Sequence, residues 1–302
     1  MAQIIESIPN ISEGRNKAVI EACVDQIRTT QGCTLLDYSS DESHNRSVIT
    51  YIGNADAIEE ASLKLVKKAV ELIDLNKHEG EHPRMGAVDV MPFVPVKDCT
   101  TDDCVELSKK IGKRIADEAD VPVFLYEYSA TRPERKNLST IRQGQFEGMA
   151  EKVQQPDWEP DFGGRKIHPT AGVMAVGARP PLIAYNFDLS TDDVQVAKNI
   201  AKIIREKDGG LDSVKSMGFE IEDEETGKKF AQVSCNLTNF EVAPIYRVFE
   251  LVKAEARRYG VTVTKTELIG LCPMKALIDS AEYYLQIEDF DFNKQVLENH
   301  IL

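Results

Sequence analysis

The chain is poor in the features that usually settle a first reading. Its six cysteines, Cys23, Cys33, Cys99, Cys104, Cys235 and Cys272, form no Cys-x-x-Cys pair. That removes the spacing on which dithiol metal and redox motifs rest, and in a chain this long they read as reduced, mostly buried thiols. Positive charge is in deficit. The 36 Lys and Arg residues face 50 Asp and Glu, for a net charge of −14, which argues against nucleic acid as the main partner. An anionic small molecule stays open, because a local basic cluster can outweigh the global field inside a pocket. No apolar run approaches membrane-spanning length, and Met1 to Ser7 lacks the pattern of a signal peptide. The expectation is a soluble cytoplasmic protein in which the Asn-x-Ser/Thr matches at Asn45, Asn137 and Asn236 are chance. Histidine is scarce as well, five in all.

Two of those five stand four residues apart in the stretch that organises the chain, His78 to Val96. It holds His78-Glu79-Gly80-Glu81-His82, then Pro83, Arg84 and Gly86, and runs into an apolar segment. The first five residues fit the H-E-x-x-H pattern of zinc proteases, which works only on a helix that puts both rings on one face. Gly80 between the histidines and Pro83 after the second oppose a helix, and the preceding amphipathic segment already stops near Asn76. No metal is expected. A loop feeding a rigid element is instead a good setting for a catalytic side chain.

The length of 302 residues and an apolar content of 42% suit two domains or two similar halves with real cores. In the first half, Ile4 to Pro9 reads as a strand, Arg15 to Thr29 as a helix, and Cys33 to Tyr38 and Arg46 to Ile52 as strands. Ala57 to Leu75 reads as a helix and Ala87 to Val96 as a strand. Pro92 and Pro95 predict an edge or bulged position for that last strand. A helix from Asp102 to Ala119 and a strand from Val121 to Tyr128 extend the unit. Thr131 to Trp158 reads as a solvated helix or connecting arm, and Pro156 to Gly172 as a loop. In the second half, Pro181 to Phe187 is a strand and Thr191 to Glu206 a helix. Ser213 to Glu222 and Lys228 to Leu237 form a hairpin about Thr226-Gly227. The helix Pro244 to Tyr259, the strand Val261 to Ile269 and the helix Pro273 to Tyr284 finish it. Both halves give the order β-α-β-β-α-β, so the expected class is α+β, two ferredoxin-like units, each a helix-backed mixed or antiparallel sheet. The expected domains are 1–178 and 179–302.

Polar residues collect at strand ends: Asn10, Ser12, Asp37, His44, Asn45, Arg46, His82, Arg84, Asn186 and Asn239. Taken singly, most are ordinary turn formers, and His168 before Pro169 shapes a loop. His82 is the exception. Its polar, glycine-flanked loop suits a proton-transfer residue poised near neutral pH.

Several segments resemble the glutamate formimidoyltransferase family. They are Ile-Pro-Asn-Ile-Ser-Glu-Gly (8–14), Leu-Leu-Asp (35–37), Asn-Arg-Ser-Val (45–48) and Gly-Glu-His-Pro-Arg-Met-Gly-Ala-Val-Asp-Val (80–90). Further along come Pro-Asp-Phe-Gly-Gly (160–164), Ala-Gly-Val-Met-Ala-Val-Gly-Ala-Arg (171–179), Ala-Tyr-Asn (184–186) and Gln-Val-Ser-Cys-Asn-Leu (232–237). The resemblance spans nearly the whole chain and covers the transferase module, without the cyclodeaminase fused to it in animal enzymes. It implies transfer of the formimino group of N-formimino-L-glutamate to N5 of tetrahydrofolate in histidine degradation. It also implies two α/β subdomains with a folate groove between them, a homodimer, and a separate formiminotetrahydrofolate cyclodeaminase as a candidate partner. Tetrahydrofolate, which can be polyglutamylated, is a co-substrate.

The family's catalytic histidine falls on His82, and its folate loop on Gly163, Gly164, Arg165, Lys166, Ile167, His168, Pro169, Thr170, Ala171 and Gly172. The chain departs from the animal pattern between Arg165 and Thr170, and carries Ser39 where an acid is expected. Asn10, His44, Arg46, Arg84, Asn186 and Asn239 are the other candidate binding residues. Substrate carboxylates need cations, for which Arg46, Arg84, Arg165 and Lys166 are candidates. Two rival readings stand beside this one: transfer of a formyl group between 5-formyltetrahydrofolate and glutamate, and a non-catalytic folate-binding protein.

Overall fold

The structure is a computed structural model that describes residues 3–222 and 226–300. It divides into two compact units, Met1–Arg179 and Pro180–Leu302.

In the first unit, Ile4–Ser7 (β1) and Asn10–Ile11 (β2) are halves of one strand interrupted at Ile8 and Pro9. Asn16 starts helix Lys17–Arg28 (α1) by accepting the N–H groups of Ala18 and Val19, and the stripe Ile20, Cys23, Val24 and Ile27 is buried. Strands Cys33–Asp41 (β3) and Arg46–Gly53 (β4) form a hairpin, followed by helix Ala55–Leu72 (α2) and strand Val88–Lys97 (β5). Helix Thr101–Ala119 (α3) opens with a capping box between Thr100 and Asp103. Strand Val123–Leu125 (β6), the short helices Leu138–Ile141 (α4) and Gln145–Lys152 (α5), and strand Met174–Ala178 (β7) complete it.

The sheet runs β3, β4, the split β1/β2 strand, β5, β7, β6, antiparallel as far as β5 and parallel beyond it. Its first four strands have the split β-α-β order, with the opening strand lying between the third and fourth. The strand β7 has no counterpart in the sequence expectation. All five of its residues are buried, so it lacks the alternation that marks a half-exposed strand, as parallel strands covered on both faces do.

The placement of β5 corrects the expected edge position and bears out the bulged one. Its register with the split β1/β2 strand shifts between Ile4 and Ile5, opposite Lys97 and Pro95, and again between Asn10 and Ile11. The strand is interior, between β1/β2 and β7, although it carries Pro92 and Pro95. The sheet accommodates Pro92 by breaking its neighbour. Ser7 pairs with Phe93 and Asn10 with Val90, so the interruption at Ile8 and Pro9 lies beside Pro92. Pro95 lies beyond the end of the β5–β7 ladder, which spans Val90 to Phe93.

The arm from Thr131 to Trp158 is less solvated than its composition suggests. Ile141, Met149 and Val153 pack on Val90, Phe124 and Ala175 of the sheet. Lys152 donates from Nζ to the carbonyls of Thr140 (2.7 Å), Ile141 (2.7 Å) and Gln143 (3.1 Å), and lies 4.0 Å from the Trp158 ring centre. Burial brings its ammonium down to about 8. Arg135 is 1% exposed and pairs with Asp161 at 2.7 Å. The carboxylate of Asp161 also accepts the Leu125 N–H (2.8 Å) and the Thr131 hydroxyl. Long basic side chains here cap carbonyls and bury their stems, a role that composition alone does not reveal.

The second unit is one antiparallel sheet in the order Val263–Ile269 (β11), Ile183–Leu189 (β8), Lys229–Leu237 (β10), Val214–Glu222 (β9). The opening strand again lies between the third and fourth. Helices Val194–Ile204 (α6) and Ile245–Arg258 (α7) bury Ile200, Ile204, Val248 and Val252 against Tyr185 and Phe187. Helices Met274–Leu285 (α8) and Phe292–Gln295 (α9) follow. The turn expected at the β9–β10 hairpin falls partly outside the described residues. Among those described, no helix is long and apolar enough to cross a membrane.

Replacing Asp161 by Ala should cost roughly 3 to 5 kcal/mol, the penalty for stranding a buried charge, read as a lowered urea midpoint. A loss below about 1 kcal/mol would show that the carbonyls around Arg135 suffice.

Candidate active site

The candidate site in the first unit is built on loops, and Asn45 joins them. It takes a left-handed conformation (φ +49°), which asparagine adopts more readily than most residues. Its Oδ1 accepts the Gly14 N–H at 2.8 Å, and its Nδ2 donates to the Glu79 carbonyl at 2.9 Å. Its own carbonyl accepts from His78 Nε2 at 2.8 Å. The loop after β2, the β3–β4 turn and the loop before β5 are thus pinned together. Two glycines make the approach possible. A Cβ on Gly14 would come within 2.3 Å of the Asp41 carbonyl oxygen, and one on Gly80 within 2.5 Å of the His44 carbonyl oxygen.

Residues 73–87 form no helix, and the two histidines of the H-E-x-x-H match have different partners. Because His78 donates from Nε2 to a carbonyl, its Nδ1 is free to accept, and Arg84 Nε donates to it at 3.2 Å. The guanidinium of Arg84 is gripped by Glu147 at 2.7 and 2.9 Å, and this pairing holds the carboxylate of Glu147 below its usual range. Arg84 and His78 therefore tie the loop to α5. Among the described residues, no group of three or more His, Cys, Asp or Glu could hold a metal ion.

His82 faces Arg46, whose Nη1 lies 3.3 Å from its Nδ1. A guanidinium can only donate, so Nδ1 accepts, and a neutral ring then carries its proton on Nε2. That Nε2 is buried and, among the described residues, has no hydrogen-bond partner, and neither does the buried Nε of Arg46. Burial, then Arg46, Arg142, His44 and His78, push the His82 imidazole down to about 3. His44 stands beside it, ring centres 6.4 Å apart, with its Nδ1 2.8 Å from Asp41. Arg142 reaches in from the arm and pairs with Asp89, which is 1% exposed and also accepts the Met85 N–H at 2.8 Å. The result is an uncharged imidazole among cations, able to exchange a proton and to lie against an anion.

The loop 163–172 packs on the same segment. Leu75 N–H donates to the Thr170 carbonyl (2.9 Å), Ala87 N–H to that of Ala171 (3.0 Å), and Asn76 Nδ2 to that of Pro169 (3.0 Å). The His168 ring accepts the Ala171 N–H at 3.0 Å through Nδ1. Gly172 (φ +67°) is obligatory, since a Cβ there would meet the Met85 carbonyl oxygen at 2.1 Å. Gly163 and Gly164 also have positive φ. Arg165 pairs with Glu159 at 2.8 Å, and Lys166 is exposed. Together with Ile167, Ala150 and Gln154 they line a shallow cavity.

The remaining candidates divide. Asn10 donates to the Ile8 carbonyl at 3.3 Å across the strand break, and the buried Ser12 hydroxyl donates to Gly86 O at 2.7 Å. Asp37 lies on β3 opposite Thr50. In the second unit, Asn186 lies between Ser234 and Glu267 on the sheet face opposite Tyr185 and Phe187, and Asn239 accepts the Glu241 N–H at 3.1 Å in a turn. Sequence reasoning misses Asp89, Arg142 and Glu147. A lone acid in the apolar run Ala87 to Val94 is the available signal, because a buried carboxylate needs a cation.

The His82 environment makes the fold sensitive to acid. In the unfolded chain this ring titrates near 6.5, in the fold near 3. Between those values the unfolded chain holds a proton that the folded chain does not, so stability falls as pH drops through that window. A His82→Gln variant should therefore lose less melting temperature than the parent between about pH 7 and about pH 4. Equal losses would mean that His82 protonates freely in the fold.

Residues 4–179 match the family described as "Formiminotransferase domain, N-terminal subdomain", and residues 184–300 the one described as "Formiminotransferase domain". The chain is 60% identical over 302 residues, all of both chains, to a glutamate formimidoyltransferase of Streptococcus pyogenes serotype M1. It is 44% identical to one of Thermoplasma acidophilum, covering 95% of this chain and 94% of that one. A formimidoyltransferase-cyclodeaminase of Rattus norvegicus is 42% identical, over 95% of this chain and 53% of the longer protein.

Proposed function

The chain belongs to the formiminotransferase family, and on that premise we propose that His82 is the proton carrier of a glutamate formimidoyltransferase reaction. The formimino group passes from N-formimino-L-glutamate to N5 of tetrahydrofolate, giving 5-formiminotetrahydrofolate and L-glutamate. The observation that carries the reading is the His82–Arg46 pair. It is a neutral imidazole whose buried Nε2 has no partner among the described residues, beside a guanidinium whose buried Nε likewise has none. Its place in a chain this similar to enzymes of that name, from end to end, supports the assignment.

The chemistry asks little more of the protein. The N5 lone pair attacks the amidine carbon and a C–N bond forms. The N5 proton leaves, the bond from that carbon to the glutamate nitrogen breaks, and that nitrogen gains a proton. One imidazole can accept the first proton and return it in the second step. Positioned proton transfer of this kind contributes about 10²- to 10⁴-fold, and holding two substrates in line supplies much of the rest. The amidine carbon is already electrophilic, so neither a metal nor a covalent nucleophile is required. The acid that the family resemblance leads one to expect at Ser39 is absent. Asp41, two residues on along β3 and bonded to His44, is our candidate for a helper carboxylate. The loop 163–172 is our candidate folate loop, with Arg165, paired to Glu159, and Lys166 as its exposed cations.

His82→Ala should keep its circular-dichroism spectrum and folate affinity while kcat falls about 10²-fold or more, followed by the absorbance change of tetrahydrofolate mixed with formiminoglutamate. A kcat near that of the parent would remove His82 from the chemistry. Running 5-formyltetrahydrofolate with glutamate alongside settles the formyl alternative.

Replacing Arg165 and Lys166 together by Ala should weaken tetrahydrofolate binding roughly five- to thirtyfold, two exposed ion pairs at about 0.5 to 1 kcal/mol each, with kcat little changed. Unchanged affinity by titration calorimetry would move the folate elsewhere.

A further inference from the structure

We propose that Arg46 is a positioning residue that locks His82 in the tautomer wrong for accepting a proton at Nε2, and that a carboxylate of the incoming donor opens the lock. The proposal rests on the formimino-transfer reading only for the identity of that carboxylate.

Three observations lead here. The Arg46 Nη1 to His82 Nδ1 contact at 3.3 Å makes Nδ1 an acceptor. The proton is therefore on Nε2, the ring nitrogen without a partner among the described residues, which can donate but cannot accept. The other arginines near the ring are engaged, Arg142 by Asp89 and Arg84 by Glu147. Among the described residues Arg46 has no carboxylate within ion-pair distance, and its own Nε is also unsatisfied. A half-buried guanidinium left this way is a receptor for an anion, because desolvating it without a counter-charge is costly.

N-formimino-L-glutamate brings two carboxylates. One of them on Arg46 draws the guanidinium off Nδ1 and presents an acceptor to the ring. The imidazole then takes a proton from water at Nδ1 and gives its Nε2 proton back to water, with no change in net charge. Nδ1–H now donates to the substrate carboxylate, and Nε2 offers its lone pair to N5–H. The substrate thereby supplies the carboxylate that proton-transferring histidines commonly receive from an aspartate. Until it does, bound folate alone meets a ring that cannot take its proton.

The ionisable groups around the ring are Arg46 on β4, Asp41 at the end of β3, His44 on the β3–β4 turn, His78 on its own loop, and Arg142 on the arm with Asp89 on β5. All but the two acids disfavour a charged imidazole. A carboxylate on Arg46 shifts that balance and moves the His82 titration upward.

The test is long-range proton–nitrogen NMR on protein labelled with ¹⁵N-histidine, with His82→Gln identifying the signals. The free protein should show an unprotonated Nδ1 and a protonated Nε2. Saturating L-glutamate should reverse the two, whereas tetrahydrofolate alone should not. In Arg46→Met the reversal by glutamate should vanish, kcat should drop at least about tenfold, and the pH midpoint of His82 should rise by roughly 1 unit or more. Arg46→Lys, which keeps the charge, should restore most of the pH midpoint. A protonated Nδ1 in the free protein overturns the lock, and so does calorimetric binding of L-glutamate that leaves both nitrogens unchanged. Reversal by L-glutamate with no turnover of either donor would sink the assigned reaction while upholding the lock. Turnover of formiminoglutamate by a protein whose free form has Nδ1–H would sink the lock alone.

Discussion

Three hydrogen bonds at one asparagine hold the site in register. Asn45 in its left-handed conformation gathers the loops bearing Gly14, Glu79 and His78 at one residue, alongside the Arg15–Glu42 and Glu81–Ser43 bonds that also join them. Without that conformation, the N–H of Gly14 and the Nε2–H of His78 would lose the acceptors that satisfy them. An unmade bond of this kind costs about 1 to 3 kcal/mol when the group is buried, so three at one residue outweigh the conformational cost of a positive φ. The two glycines that let the chains close on each other belong to the same device, since any side chain at Gly14 or Gly80 would strike a backbone carbonyl. The fold supplies a stiff sheet, and Asn45 fixes how the loops leave it.

The electrostatics of the site oppose those of the molecule. A chain of net charge −14 gathers Arg46, Arg84, Arg142, His44, His78 and His82 into one corner. Two of the three guanidiniums are neutralised by acids from elsewhere in the sequence, Glu147 and Asp89. The pairing is selective, and it leaves Arg46, beside the imidazole, as the guanidinium of the three without a carboxylate partner among the described residues. Local cation density inside a low-dielectric recess prevails over a distant negative surface, because screening weakens the latter first.

Much of this is legible in the amino-acid sequence. His82 stands out because glycine and proline around it exclude a helix, and the described residues form none there. The β-α-β-β-α-β order of both units follows from hydrophobic period, and both sheets place their strands in the corresponding order. What escapes is non-local. The strand β7 is buried on both faces and so shows no alternation. The placement of β5 depends on a break in a different strand, which no property of Pro92 announces. The arm reads as solvated when its lysines and arginines are counted only as charges. Lys152 and Arg135 instead spend theirs on carbonyls and on Asp161. Arg46 is legible as a cation near His82, but its lack of a carboxylate partner among the described residues is not, since that depends on which acids other arginines have claimed.

The arm carries a consequence beyond its packing. It covers one face of the sheet through Ile141 and Met149, and it also delivers Arg142 to Asp89 and Glu147 to Arg84. A fluctuation that lifts this segment exposes apolar surface and strips two counter-charges from beneath the His82 loop in the same event. Local breathing and the acid–base poise of the site are thereby a single thermodynamic quantity. Packing of the roof and the charge balance of the recess beneath it are coupled through the same two ion pairs.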